Sequence, residues 1–104
     1  MLELRPNCEL CDRDLPPDSD QARICSYECT YCATCVETRL HNVCPTCGGG
    51  FVPRPIRPKR AWRPELNLGL ENDPAGTQRR HTKFTDQDIA AHVARIRDIA
   101  PEDR

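Results

Sequence analysis

The sequence predicts a small metal-stabilised domain with two zinc sites, followed by an extended linker and a C-terminal α-helix. Three observations predict it. Eight cysteines stand between positions 8 and 47 in short pairs. A stretch rich in proline and arginine without apolar periodicity follows them. One narrow apolar stripe, opened by a capping residue and closed by a proline, ends the chain.

The ligand candidates are Cys8, Cys11, Cys25, Cys29, Cys32, Cys35, Cys44 and Cys47. A pair of thiolates two residues apart can close on one tetrahedral ion, because a short turn brings both sulfurs to a single point. Three such pairs and one looser pair make eight ligands, which fill two four-sulfur zinc sites with none left over. Disulfides need an oxidising compartment, and the start Met1-Leu2-Glu3-Leu4-Arg5-Pro6 lacks the basic and apolar run of an export signal. Reduced thiols in a cytoplasmic protein are therefore expected. An iron–sulfur cluster of the bacterial ferredoxin type needs its fourth cysteine three residues after the third, whereas Cys44-Pro45 lies well beyond Cys35.

Composition makes metal necessary. Only 38 % of the 104 residues are hydrophobic and ten are proline, so a large core is unavailable. Residues 1–52 form the metal module, with apolar side chains scattered singly between the ligands. They carry eight acids against four bases, a net of −4, which leaves +3 for the remainder of a chain whose total is −1. Two zinc ions on eight thiolates would take the module to about −8. Such a surface repels phosphate and invites basic partners. In Cys44-Pro45-Thr46-Cys47-Gly48-Gly49, proline fixes the first turn of a metal knuckle and glycine accepts the positive φ after it. No stretch approaches the roughly 18 apolar residues of a membrane span.

Residues 53–84 form the linker, with Pro53, Pro55, Pro58, Pro64 and Pro74 spelling extended chain. Arg54, Arg57, Lys59, Arg60 and Arg63 make a basic stripe around Trp62. The stripe suits either a nucleic-acid contact or a linker folded back on the acidic module. The second is favoured, because five charges give salt-sensitive attraction without base readout. Trp62, alone in a polar stretch, reads as an anchor for a surface groove.

Residues 85–104 form the terminal segment, with helix expected over 85–100. Thr85 can cap it, Asp86 and Asp88 suit the positive end of its dipole, and Phe84 with Ile89 stand at the positions of a hydrophobic staple. Ile89, Val93, Ile96 and Ala100 repeat at helical steps, and Pro101 stops the run. A helix this short is marginal alone. It must bury Ile89, Val93 and Ile96 on the zinc module, on a second copy or on a partner.

The ligand order resembles the RING-finger pattern over residues 8–47, with Cys29 where that family most often has histidine and Pro45 after the seventh ligand. The resemblance implies a RING-like cross-brace, in which Cys8, Cys11, Cys32 and Cys35 share one zinc and Cys25, Cys29, Cys44 and Cys47 the other. Sequential pairing, as in LIM-like modules, would instead join Cys8, Cys11, Cys25 and Cys29, and spacing leaves both open. Ubiquitin-ligase RINGs contact their partner enzyme through four positions. Leu10 and Pro45 match two of them, while Arg39 and Gly48 depart from the apolar and basic residues expected at the others. Ligase activity is accordingly the lesser implication.

Leu2-Glu3-Leu4-Arg5-Pro6-Asn7-Cys8, Leu15-Pro16-Pro17, Ala22-Arg23-Ile24-Cys25, Cys44-Pro45-Thr46-Cys47-Gly48-Gly49 and Arg54-Pro55-Ile56-Arg57-Pro58 also resemble a family of small bacterial proteins known as domain of unknown function 1272. No catalytic nucleophile or acid–base pair stands outside the thiols. The expectation is a non-enzymatic adaptor that binds a protein partner through Leu10, Pro45, Trp62, Ile89, Val93 and Ile96, with nucleic-acid binding as the alternative.

Overall fold

The computed structural model describes residues 1–104, an elongated body of 48 × 27 × 19 Å. Its centre is a three-stranded antiparallel sheet in the order β2-β1-β3, made of β1 (Ala22–Ile24), β2 (Thr30–Cys32) and β3 (Val52–Pro53). Ala22 pairs with Cys32 and Ile24 with Thr30, so β1 and β2 form a hairpin whose loop runs from Cys25 to Cys29. Glu28 in that loop takes a left-handed φ of 69°. Pro53 is tolerated because β3 is an edge strand, where a missing donor costs nothing.

β2 leads directly into the helix α1 (Ala33–Cys35), whose first turn is capped by Cys32 and which continues as a wider π turn over Val36–Leu40. His41 and Asn42, both left-handed, end it. The hydrophobic core joins the sulfurs to Leu15, Tyr31, Leu40 and Val43, and the Tyr31 and Phe51 rings meet edge to face at 5.5 Å. Without these few side chains the sheet, two or three residues to a strand, would have nothing to bury.

The C-terminal helix α2 runs over Asp86–Ile96. Thr85 caps it as its sequence suggests, its Oγ1 accepting the Asp88 N–H at 3.2 Å. The helix stops four residues short of the expected end. Ile99 N–H donates to the Ile96 carbonyl in a tighter turn, and Ala100, extended at ψ 140°, obeys the restriction that Pro101 places on its predecessor. α2 packs on its own cysteine module: Ile89 and Val93 are buried in the common core, with Phe84 and Ile96 packed against it. Arg39 pairs with Asp86 at 2.7 Å, and His92 Nε2 donates to the Cys44 carbonyl at 3.0 Å. Burial of two aliphatic side chains, about 1.5–3 kcal/mol each, supplies what an isolated helix of this length lacks.

Apart from a 3₁₀ turn at Pro64–Leu66, the segment 54–84 has no regular structure, yet it is strapped to the module by hydrogen bonds. Gly76 N–H donates to the Leu4 carbonyl at 2.9 Å and Thr82 N–H to the Glu9 carbonyl at 2.7 Å. Arg79 pairs with Asp12 and Asp14, and Arg80 with Glu3. The basic segment thus folds back on the acidic module. Arg54 belongs to the module itself. It is 4 % exposed, and its guanidinium donates to the carbonyls of Arg5, Leu15 and Pro16 at 2.8–3.1 Å.

Candidate metal centre

Two cysteine knuckles have the same local form. In the first, Cys8 N–H donates to the Arg13 carbonyl and Asp12 N–H to the Cys8 carbonyl, at 2.8 and 2.9 Å. In the second, Cys44 N–H donates to the Gly49 carbonyl and Gly48 N–H to the Cys44 carbonyl, again at 2.8 and 2.9 Å. Asp12 and Gly48 share the left-handed conformation that this turn needs, with φ of 66° and 77°. Glycine enters it freely; aspartate is among the few other residues that do so at modest cost.

The second and third cysteine pairs are divided by strand β2. Cys29 and Cys32 have the same spacing as a knuckle, but Thr30 and Tyr31 between them are extended, a conformation that β-branched and aromatic residues favour. Three extended residues carry the chain about 10 Å, so the two cysteines serve opposite ends of the strand. Cys32 meets the first knuckle: the sulfurs of Cys8, Cys11, Cys32 and Cys35 all lie within 4.8 Å of one another. At the other end, Cys25 joins Cys44 and Cys47 in a second set with the same mutual reach. The pairing is therefore a cross-brace and not sequential. Cys29 stands outside that threefold set, although its carbonyl accepts the Cys25 N–H at 3.2 Å.

The donor chemistry fits a tetrahedral thiophilic ion. Cys11 and Cys32 sulfurs are 3.7 Å apart, too far for a disulfide and close to the ~3.8 Å edge of a tetrahedron with metal–sulfur bonds of about 2.3 Å. Backbone N–H groups already point at the sulfurs, from Cys11 to Cys8, Cys35 to Cys32, Tyr27 to Cys25 and Gly49 to Cys47, at 3.3–3.5 Å. Such bonds favour thiolates and orient them for a cation.

Within each set the titration is shared. Hydrogen bonds from Cys29 and Cys44 pull the Cys25 thiol down to about 3. Cys44, bonded to Cys25 and Cys29 and buried, is pushed far above the ordinary thiol range. In the other set burial works against the Cys32 thiolate, but the Cys35 N–H and neighbouring thiols outweigh it and move its pKa down. Burial, then the negative charge of Cys8, pushes Cys35 up, and burial likewise raises Cys8. Several buried thiolates cannot coexist at this distance without a cation, so each set holds protons that a bound metal would displace.

The partner-contact positions expected from sequence fare differently. Leu10 is 8 % exposed and sits in the core, while Pro45 is buried beside Phe84 and His92 under α2. Ile89 and Val93 are consumed by cis packing, as is part of Ile96. Trp62, at 77 % exposed, docks in no groove of its own chain. Residues that sequence reasoning missed hold the centre together from outside. Glu9, buried, bridges Arg5 at 2.9 Å and the Thr30 N–H at 2.5 Å, tying the first knuckle to β2. Asn7 accepts the Arg80 N–H and donates to its carbonyl. Neither position has a spacing signal, because each acts through a residue more than 20 positions away.

No helix is long and apolar enough to cross a membrane. No solved structure matches the chain. Among curated proteins it is similar to "Uncharacterized protein R02474" of Rhizobium meliloti (strain 1021), with 67 % identity over 58 residues, which cover 56 % of this chain and 69 % of that protein. The family described as "Protein of unknown function (DUF1272)" matches residues 1–57, which span both knuckles, the hairpin between them and the buried Arg54. On that match, which covers more than half of the chain, the chain belongs to the DUF1272 family.

Proposed function

We propose that the chain is a RING-like module that binds two zinc ions and serves as a rigid platform for protein contacts, without catalytic activity of its own. The observation that carries this reading is the interleaving of two separate sulfur sets through one short strand. An ion in either set clamps both ends of the chain segment that builds the other, so metal binding and folding are one event. All eight thiols are occupied by that role, and a fully sulfur-ligated zinc is closed to substrate. The face on which ligase RINGs receive their partner enzyme carries a buried Leu10 and a Pro45 shielded by α2, which speaks against ligase activity.

The nucleic-acid alternative loses two of the five cations of its stripe, Arg54 and Arg57, and keeps Lys59, Arg60 and Arg63. Arg54 and Arg57 spend their guanidinium groups on backbone carbonyls, and Arg79 and Arg80 on carboxylates. Elemental analysis of the purified full chain, paired with affinity capture by its zinc-loaded and chelated forms, tests the reading. It requires about two zinc ions per chain and zinc-dependent, nuclease-insensitive capture of protein. One zinc with four titratable thiols, or capture abolished by nuclease, would contradict it.

A further inference from the structure

Half of the large apolar side chains that the molecule exposes lie in one short stretch: Ile56, Trp62, Leu66 and Leu68. The last three sit in a closed loop. Leu70 N–H donates to the Pro58 carbonyl at 2.8 Å and Glu71 N–H to the Lys59 carbonyl at 3.3 Å, sealing its base. Glu71 also accepts the Ala61 N–H at 2.8 Å. Gly69, at φ 88°, lies so near the Arg60 carbonyl that a Cβ there would stand 2.6 Å from it. A loop braced in this way presents its side chains at little entropic cost on binding. Trp62 leads them, and the basic side chains of Lys59, Arg60 and Arg63 beside it make no ion pair in the molecule.

The zinc module carries a matching recess. A cleft of about 510 Å³ is lined by Arg23, Ala33, Val36, Glu37, His41 and Phe51. Its volume is within the usual range of about 300–1,000 Å³ for ligand sites and ample for one indole. Apolar walls from Ala33, Val36 and Phe51 suit the ring, Arg23 can stack on its face, and Glu37 stands ready for a cation on the incoming loop.

We propose that the Trp62 loop docks in this cleft on a second copy of the chain, the two copies exchanging loops reciprocally. Electrostatics selects this occupant. Residues 1–52 carry net −4 before the thiolates are counted, of which Arg79 and Arg80 offset two in the fold, and Glu37 at the cleft makes no ion pair. Such a surface attracts the unpaired cations of the loop and repels the phosphates of nucleic acid or of an anionic bilayer. Exposed leucines beside the tryptophan also have no use on a nucleic acid, where stacking and phosphate contacts dominate. The proposal deepens the interaction-module reading by naming the partner, and it rests on the folded zinc-loaded module.

Trp62 is the single tryptophan, so its fluorescence reports the contact without a label. Sedimentation and emission of the zinc-loaded full chain are measured over a dilution series, with zinc content determined in the same samples. The expected result is a reversible dimer whose blue-shifted emission moves red on dilution. Trp62→Ala, at an exposed site, should weaken the dimer at least about tenfold, as loss of a central aromatic anchor does. Glu37→Arg should weaken it too, and mixing the two variants should restore one of the two contacts as a heterodimer. A chain with two zinc ions that stays monomeric with water-exposed emission would overturn the dimer while leaving the metal reading intact. Dimerisation unaffected by Trp62→Ala would overturn it as well. So would a blue shift that appears only with phosphatidylglycerol vesicles or a single-stranded oligonucleotide.

Discussion

The two sulfur sets differ in how completely the polypeptide assembles them. In one, Cys8, Cys11, Cys32 and Cys35 all lie within 4.8 Å of one another, held by a knuckle on one side and the capped start of α1 on the other. In the second, Cys25, Cys44 and Cys47 meet while Cys29 stays at the margin, at the end of a hairpin loop that passes through the left-handed Glu28. The difference teaches which part of the fold the chain builds by itself. Secondary structure on both sides of the first set brings all four ligands within reach of one another, whereas the fourth ligand of the second ends a hairpin loop and lies outside the mutual reach of the other three. α2 touches the second set from outside, where His92 donates to the Cys44 carbonyl and Ile96 lies 3.4 Å from where a Gly48 Cβ would be.

The largest effect expected is from removing metal altogether. A strong chelator should abolish protected amides throughout residues 1–57, because a structural zinc contributes on the order of 10 kcal/mol or more and the core is too small to replace it. Survival of the sheet without metal would show that burial, not the sulfur sets, holds the fold. Acid should act in the same direction: the thiolates must deprotonate to bind, so zinc affinity falls as pH falls. Titrating with a chromophoric chelator, the second set should release its ion first. Equal release from both would erase the distinction between them.

A smaller effect separates the sets from their supports. Arg54→Met keeps the bulk but leaves three carbonyls without their donor, which should cost about 3 kcal/mol in the metal-loaded chain. Thermal unfolding of holo-protein reads it, and an unchanged midpoint would make Arg54 a mere surface base. Val93→Asp should free α2, so that residues 86–96 exchange amide hydrogens rapidly while zinc content stays unchanged. Loss of zinc from the second set in that variant would show the helix to be a structural part of it.

Gly48→Ala lies at the small end, at about 1 kcal/mol, since alanine resists the left-handed turn that Asp12 tolerates in the twin knuckle. The matched measurement is Asp12→Gly in the other knuckle. If both substitutions cost the same, the two knuckles do not share one conformational requirement.

Much of the centre was legible because metal ligation leaves a local trace. Pairs such as Cys8 with Cys11 and Cys44 with Cys47 announce themselves by spacing, and the cap Thr85 with the stripe Ile89, Val93 announces α2. The same spacing misleads at Cys29 and Cys32, where only the extended Thr30-Tyr31 reveals a strand in place of a knuckle. Long-range polar ties leave no trace of this kind. Arg54 looks like its neighbours in the basic stripe, yet its guanidinium closes on carbonyls 38 and more positions away. Trp62 reads in the sequence as an anchor for a surface groove, yet it is exposed and no groove of its own chain receives it.

The cross-brace itself is tested most directly by Cys8→Ser, with metal content and alkylation of each thiol measured on the purified variant. One ion should be lost from two, leaving Cys11, Cys32 and Cys35 reactive while Cys25, Cys29, Cys44 and Cys47 remain protected together. Protection of Cys32 and Cys35 alongside Cys44 and Cys47, with Cys25 and Cys29 reactive, would contradict the interleaved arrangement.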